Sequence, residues 1–369
     1  MNLRTPGPTP IPANVRKALS QQMIDHRGVE FSEMQPRITE RLQTLFETRN
    51  DVLILTTSGT GALEAVIVNT LSPGDRVLAV SIGAFGQRFG RIAETYGAEV
   101  TWLEVEWGEA ARPEDIGRTL DENPGVTAVL VTHNETSTGV TNPLREIASV
   151  VKSRDKLLLV DAVSSLGSLP CPIDEWDLDV VATGSQKGWM VPPGLAMVSM
   201  SERGWAASAR SKMPRFYLDL SAAKRYLEQG QTPWTPAISL YFALDVALEG
   251  LIEEGTAAIH ARHARAGDRV RARVKSMGLR LFPADERFAS NTVTAIRIPE
   301  GVEVADFRKR AREKHGVILA GGQAKLAQTI FRIGHLGHIP DEELDAALDA
   351  VEATLETSES TPRVVGRST

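Results

Sequence analysis

The chain is poor in cysteine: Cys171 is the only one among 369 residues. A single cysteine excludes an intramolecular disulfide framework and a CxxC metal motif. Because Pro170 and Pro172 flank it, we expect a buried thiol rather than a nucleophile. No run reaches the ~20 apolar residues of a membrane span, and the N-terminus lacks the apolar segment of a signal peptide. We therefore expect a cytoplasmic protein with no membrane partner.

Basic residues are not in excess either. The 41 Lys and Arg are outnumbered by 47 Asp and Glu, and the net charge is −6. The basic residues are scattered rather than arranged in a stripe, so a nucleic-acid partner is not expected. A composition of 42 % hydrophobic and 24 % charged residues is typical of a soluble globular protein. The length exceeds the ~250–300 residues at which single cores stop growing, which predicts two domains.

Buried-type strands alternate with helical patterns in the first half of the chain. Apolar runs at residues 52–57, 126–132 and 156–160 predict an α/β fold, with a mainly parallel sheet covered by helices on both faces. After about Thr235, two long helices broken near Gly255 lead into short strands and helices, which predicts a smaller α+β domain. The predicted division is an N-terminal segment at 1–14, a large domain at 15–255, a small C-terminal domain at 256–357 and a flexible tail at 358–369.

Polar and small residues follow the strands of the predicted sheet, where ligands of open α/β folds bind. Ser58, Gly59 and Thr60 stand at the start of a helix. Free N–H groups at such a start bind phosphate, although the same residues also serve as a plain helix cap. Phe85 lies between glycines after the next strand. It is suited either to stacking on a planar ligand or to packing in the core.

Three further strand ends carry reactive residues. The segment HNETSTG (133–139) has six polar residues in seven, and is either a binding loop or a turn. Asp161 ends an apolar strand and needs a partner: a protonated ring nitrogen, a helix start or a cation. Lys187, in GSQKG (184–188), is either a solvated lysine or a desolvated amine able to form a Schiff base. A phosphate cradle, a ring stacker, an acid and an amine are together what pyridoxal phosphate requires.

Several motifs occur in the order found in one enzyme family: TPGPT (5–9), TSGTGALEA (57–65), HNETSTG, LLLVDAVSSLG (157–167), GSQKG, QTPWTPAISLY (231–241) and RIGHLG (332–337). With them the chain resembles the class V branch of fold-type I pyridoxal-phosphate enzymes, in particular the alanine–glyoxylate, serine–glyoxylate and serine–pyruvate aminotransferases. The resemblance implies a fold-type I transferase with a large, mainly parallel domain and a smaller C-terminal α+β domain.

The resemblance also implies roles for individual residues. Lys187 would form the Schiff base and shuttle the proton, and Asp161 would pair with the pyridine nitrogen. Phe85 and Val163 would lie on opposite faces of the ring. The cofactor phosphate would be bound by Ser58, Gly59, Thr60 and Gln186, and by Gln231, Thr232 and Thr235 of a neighbouring subunit. These last three imply a homodimer with shared active sites.

Substrate recognition is implied in the same way. Arg332 would grip the α-carboxylate, Thr136 would neighbour ring and substrate, and Gly7 would bring the N-terminal segment to the active site. One such arginine favours alanine or serine as donor and glyoxylate or pyruvate as acceptor. Aspartate, 2-aminoethylphosphonate and ureidoglycine remain alternative substrates, and a cysteine desulfurase or lyase and a non-enzymatic assembly subunit are alternative classes. No metal site is predicted, and no chemistry is assigned to three histidines, His26, His335 and His338.

Overall fold

The computed structural model describes residues 1–359 as an α/β molecule. Its strands are β1 (Asn2–Arg4), β2 (Asp51–Leu55), β3 (Arg76–Ser81), β4 (Glu99–Glu104), β5 (Ala128–Thr132), β6 (Asn134–Glu135), β7 (Val140–Thr141), β8 (Leu157–Asp161), β9 (Val180–Gly184), β10 (Ala196–Met200), β11 (Val293–Arg297), β12 (Val317–Gly321) and β13 (Ile330–Gly334). Its helices are α1 (Ala13–Ala18), α2 (Val29–Phe46), α3 (Gly59–Thr70), α4 (Ala84–Thr95), α5 (Pro113–Glu122), α6 (Leu144–Lys152), α7 (Glu202–Arg210), α8 (Leu220–Leu227), α9 (Ile238–Glu254), α10 (Thr256–Ser276), α11 (Val304–His315) and α12 (Asp341–Glu359). No helix in this range is both long enough and apolar enough to span a membrane.

A large sheet of seven strands has the order β2-β10-β9-β8-β5-β3-β4. Strands β9, β8, β5, β3 and β4 pair in parallel, and apolar layers cover both faces. This confirms the predicted α/β class with a mainly parallel sheet. Strand β10 is antiparallel to both neighbours. The connection from β9 to β10 contains no helix, and a parallel pair needs a longer crossover of about a dozen residues or more.

A small sheet of order β1-β12-β13-β11 lies in the C-terminal part of the chain. Its edge strand β1 comes from the N-terminus and pairs in parallel with β12, with Asn2 opposite Val317. Arg4 is 1 % exposed and its Nη2 lies 2.7 Å from an oxygen of Glu343 at the start of α12. The TPGPT segment therefore directly follows strand β1 of the small sheet.

The helical stretch that joins the two sheets breaks where the sequence indicated. Helix α9 ends at Glu254 and α10 begins at Thr256, with Gly255 between them at a φ of 79°. Glycine adopts this positive φ without the strain of a side chain. Helix α12 continues to Glu359, and the remainder of the predicted tail, residues 360–369, lies outside the described residues.

Candidate active site

A cavity of about 110 Å³ lies at the carboxyl ends of the central strands of the large sheet. All of the site residues predicted from the loops of this sheet line the cavity, apart from the segment 231–235. The lining side chains come from the starts of α3 and α4 and from the loops after β5, β8 and β9: Ser58, Gly59, Thr60, Leu63, Phe85, Arg88, Asn134, Thr136, Asp161, Val163, Ser164, Gln186 and Lys187.

Lys187 follows β9 and turns its amine into this cavity. The residue is 9 % exposed, and Nζ donates a hydrogen bond of 2.6 Å to the Pro6 carbonyl of the N-terminal segment. Burial lowers the pKa of Lys187 to about 8; the charge of Asp161 opposes this shift, and the charges of Arg332 and Arg88 add to it. Much more of this amine is therefore uncharged near neutral pH than of an ordinary lysine, and a nucleophile or general base requires the uncharged form.

Asp161 ends β8 on the same side of the sheet. It is 4 % exposed, and Oδ1 accepts a hydrogen bond of 2.9 Å from the Val163 amide. Burial raises the pKa of Asp161 to about 6, and the charge of Glu135 adds to the rise, against the Val163 hydrogen bond and the charge of Lys187. A buried carboxylate of this kind is stabilised by a cationic N–H group placed beside it.

The start of α3 forms the end of the cavity suited to an anion. Ser58 is the N-cap of α3, and its Oγ accepts from the Gly61 amide at 3.2 Å. The first N–H groups of a helix have no partner within the helix, and they attract anions. A Cβ on Gly59 would lie 2.9 Å from Val163, so glycine is needed for this close approach. Gln186 Oε1 is buried without a hydrogen-bond partner within residues 1–359. The cap interpretation and the anion-site interpretation thus apply to the same residues.

Phe85 forms part of the cavity wall at the start of α4. The guanidinium of Arg88 lies 4.8 Å from the centroid of the Phe85 ring. The sequence analysis missed Arg88, although a residue three positions after Phe85 lies on the same helix face. It also missed the contact between Asn134 and Ser164, in which Asn134 Nδ2 donates to Ser164 Oγ at 2.8 Å.

Arg332 reaches the site from the small sheet. It lies within β13 and is 5 % exposed. Nε donates to the Gly321 carbonyl at 2.8 Å, and Nη1 donates to the Thr136 carbonyl at 2.7 Å. Burial lowers the pKa of Arg332 to about 10, which leaves it charged at neutral pH. Arg332 does not line the cavity itself but contacts its wall through Thr136.

Gly7 lies against Lys187. Its φ is 121°, and a Cβ there would lie 2.6 Å from Lys187 Nζ. The backbone conformation therefore favours glycine, and a side chain at this position would displace the end of the Lys187 side chain. The N-terminal segment connects the small sheet, through β1, with the amine of the large domain.

The segment at 231–235 lies away from this cavity, between α8 and α9. Arg27 holds it: Nη1 donates to Gln231 Oε1 at 2.8 Å and to the Thr232 carbonyl at 2.7 Å. Thr232 is 7 % exposed, whereas Thr235 is exposed. The phosphate contact predicted for these three residues belongs to a neighbouring subunit, and it stays a prediction.

The three histidines without an assigned role lie in different environments. His335 is fully buried, with Nε2 2.8 Å from Thr294 Oγ1. His338 is half-buried, and His26 Nδ1 lies 3.9 Å from an oxygen of Asp25. Within residues 1–359, no cluster of three or more His, Cys, Asp or Glu side chains is arranged to hold a metal ion.

Cys171 is buried, as expected, at 2 % exposure. Burial raises the pKa of its thiol to about 12. The thiol is therefore protonated at neutral pH, whereas the nucleophile of a desulfurase is a thiolate. This environment argues against the desulfurase alternative.

A comparison with protein families identifies the chain. The profile of the family described as "Aminotransferase class-V" matches residues 2–337. The chain belongs to the class V aminotransferase family. It is therefore a transaminase, as its motifs implied, and the enzymes of this family depend on pyridoxal phosphate.

Three similar proteins illustrate the comparison, and two of them are named as aminotransferases. The chain is 45 % identical over 357 residues to a Synechococcus protein named "Soluble hydrogenase, small subunit", covering 96 % of this chain and 92 % of the relative. It is 40 % identical to the L-aspartate–glyoxylate aminotransferase of Paracoccus denitrificans, covering 91 % of this chain and 86 % of the relative. The crystal structure of an alanine–glyoxylate aminotransferase from Nostoc superposes with a TM-score of 0.92 at 31 % identity, covering 96 % of this chain and 95 % of that one. The fold-type I architecture is thereby confirmed.

Proposed function

We propose that this transaminase binds pyridoxal phosphate through Lys187 and moves an amino group from alanine or serine to glyoxylate or pyruvate. One observation carries the proposal. Lys187 and Asp161, the amine and the acid that such a cofactor needs, line the same small cavity as the anion-binding start of α3. The low pKa of the amine and the raised pKa of the acid are typical of functional sites.

The lining residues suit the parts of the cofactor. The amides of Gly59 and Thr60, with the Gln186 side chain, would hold the phosphate. Asp161 would pair with the pyridine nitrogen, because that N–H supplies the positive charge which its buried carboxylate lacks. Phe85 and Val163 would form the apolar walls beside the ring, with Thr136 at its edge and Ser58 beside the phosphate.

Pyridoxal phosphate, when bound, accepts the electron pair left behind at the substrate Cα. Lys187 Nζ would take the proton from the substrate Cα, and in the second half of the transfer it would supply a proton to the Cα of the acceptor, which suits an amine with a pKa of about 8. Burial keeps water away from this proton transfer.

Arg332 would bind the substrate α-carboxylate through its planar fork. The carbonyls of Gly321 and Thr136 hold the guanidinium in place before substrate arrives. Because the carboxylate is held there, the Cα–H bond is the one presented to Lys187. This arrangement favours amino transfer over decarboxylation.

Arg88 favours a second candidate, aspartate as the donor. It lines the cavity with a positive charge and has no ion pair within residues 1–359. A second carboxylate on the donor would supply one, and one relative is an L-aspartate–glyoxylate aminotransferase. Alanine and serine remain the first candidates because Arg88 is exposed and its charge is accessible to water.

A homodimer with shared active sites is part of the proposal. Gln231, Thr232 and Thr235 lie outside the cavity of their own chain, on a segment that Arg27 holds at 231–233. Such an ordered polar segment is suited to a site on a second copy of the chain. A cytoplasmic location remains the expectation from the sequence.

A donor panel tests this function. Purified protein loaded with pyridoxal phosphate is mixed with alanine, serine, aspartate, 2-aminoethylphosphonate or ureidoglycine, and the visible cofactor spectrum and the products with glyoxylate and pyruvate are followed. We expect conversion with alanine and serine. A preference for aspartate that disappears in Arg88→Gln would establish the second candidate, and no conversion with any amino donor would contradict both.

A further inference from the structure

The loop after β5 contains a buried carboxylate with four hydrogen-bond donors. Glu135 is 0 % exposed. Its Oε2 accepts from the amides of Phe85 and Gly86, each at 3.0 Å. Its Oε1 accepts from the Ser137 amide at 3.1 Å and from Ser137 Oγ at 2.5 Å. Since all four partners donate, they favour the ionised carboxylate.

Glu135 caps the start of α4, but burying its carboxylate costs desolvation free energy. Burial raises the pKa of Glu135, and the four hydrogen bonds act against the rise. Helices α3 and α7 are capped by a serine at their own N-caps, Ser58 and Ser201. The N-cap of α4 is Gly83, which has no side chain, so the cap comes from a distant loop. A serine at the N-cap would stabilise α4 with less desolvation. The glutamate differs from such a serine in that it links the start of α4 to the loop after β5.

The start of α4 and the loop at 135–137 are in close contact. A Cβ on Gly83 would lie 2.5 Å from the Glu135 carboxyl carbon and equally close to Ser137 Oγ. The Ala84 amide also donates to Ser137 Oγ, at 3.0 Å. The start of α4, with Phe85 on the cavity wall, therefore moves only together with the loop at 135–137.

The same loop touches Arg332. Thr136 stands between Glu135 and Ser137, and its carbonyl accepts from Arg332 Nη1 at 2.7 Å. The hydrogen bonds that tie Glu135 and Ser137 to the start of α4 form a clamp. Because this clamp holds the residues on both sides of Thr136, the direction of the Thr136 carbonyl is fixed. The negative charge of Glu135 also stabilises the Arg332 guanidinium and raises the pKa of Arg332 against the effect of burial.

We propose that Glu135 is a positioning residue of this transaminase, which holds the Phe85 wall and the substrate-binding guanidinium of Arg332 in one fixed arrangement. The substrate part of this inference rests on the proposed function, because Arg332 must bind the donor carboxylate. The mechanical part concerns residues of this chain alone.

The isosteric variant Glu135→Gln tests both parts, with Ser201→Ala as the matched control. Gln keeps the shape but carries no charge and meets several donors with a single acceptor oxygen. In cofactor-free protein we expect hydrogen exchange of the amides at 84–88 to rise by at least ~10-fold, the loss of more than one hydrogen bond. Ser201→Ala removes an ordinary cap, so it should lower the melting temperature without changing exchange at 84–88. Unchanged exchange in Glu135→Gln would overturn the clamp.

A kinetic cycle tests the link to substrate binding. In Glu135→Gln we expect the donor KM to rise by roughly 10-fold with kcat changed by less than about 3-fold, whereas Ser201→Ala leaves KM unchanged. In the double variant Glu135→Gln with Arg332→Lys, the loss in kcat/KM should be clearly smaller than the product of the two single losses, because both substitutions act on one guanidinium. Fully multiplicative losses would contradict the positioning role.

A second variant covers the case in which Glu135→Gln fails to fold. Glu135→Asp keeps the charge, but one methylene less prevents it from reaching both Ser137 and the start of α4. It should show the same exchange and KM changes to a smaller extent, and wild-type behaviour in both would overturn the inference. Failure of the proposed function would be recognised separately, by wild-type protein that converts no amino donor while exchange at 84–88 still responds to residue 135.

Discussion

The two sheets contribute to the site in different ways. The large sheet supplies Asp161 and Lys187 from the ends of its parallel strands, and both line the cavity. The small sheet supplies Arg332 from within β13, and this side chain is held by carbonyls from two segments. In the proposed function, the chemical groups thus belong to one sheet and the recognition group to the other. Changes at Asp161 or Lys187 should therefore lower kcat, and a change at Arg332 should raise KM.

Lys187→Ala should have the largest effect. Losing the amine removes both the cofactor link and the base for Cα, so we expect kcat for alanine with glyoxylate to fall by roughly 10⁴-fold or more. Lys187→Arg is the control, because it keeps a long cationic side chain but supplies no free amine. Retention of more than about a tenth of the wild-type kcat in Lys187→Ala would assign the chemistry elsewhere.

Asp161→Asn should lower kcat by about 10²–10³-fold, the cost of removing one electrostatic group from an active site. At neutral pH the cofactor-free variant should nevertheless be more stable than the cofactor-free wild-type protein. The pKa of Asp161 is about 6 in the folded protein and ordinarily 3.8. The folded state therefore keeps its proton to higher pH, and the stability of the cofactor-free protein falls as pH rises between these values.

Asparagine does not titrate, so the variant should escape that loss, which amounts to up to about 3 kcal/mol. Urea unfolding of cofactor-free protein at about pH 4 and about pH 7 measures it. Wild-type protein should lose stability between the two conditions relative to Asp161→Asn. An equal change in both proteins would mean that Asp161 has an ordinary pKa.

Arg332→Lys sharpens the contrast between the sheets. An ammonium replaces the planar fork, so the donor KM should rise by roughly 10–100-fold, the worth of a charge-assisted hydrogen bond. The kcat should stay within a few-fold of wild type. Steady-state kinetics across alanine and serine concentrations give both constants, and a fall in kcat with constant KM would place Arg332 with the chemical groups.

The smallest expected effect concerns the pH at which cofactor-free protein captures pyridoxal phosphate. Capture needs the uncharged amine, so the rate of capture should rise with pH. The midpoint of this rise should lie near the Lys187 pKa of about 8, below the ordinary lysine value of 10.5. Arg88→Gln removes a nearby positive charge and should move the midpoint upward. Stopped-flow absorbance follows the reaction, and a midpoint that Arg88→Gln leaves in place would mean that Arg88 does not act on this amine.

The difference between the two sheets also explains which site residues could be predicted from the sequence. Asp161 and Lys187 were recognisable because polar residues directly follow apolar strands, and that signal is local. Arg332 lies inside a strand, and only the family resemblance indicated a role for it. Strands β1 and β12 were not predicted: β1 has three residues, too few for a periodic pattern, and its partner is more than 300 positions away in the chain. The clamp at Glu135 was missed for a similar reason, since two of its four donors, the Phe85 and Gly86 amides, lie about 50 positions earlier.

The central claim is that the buried amine of Lys187 bonds to pyridoxal phosphate. The most direct measurement is borohydride reduction of the cofactor-loaded protein followed by peptide mass spectrometry. The account predicts a pyridoxyl phosphate adduct on the peptide that contains Lys187, abolished in Lys187→Arg. A stoichiometric adduct on another lysine, or none in protein that turns over amino donors, would contradict it.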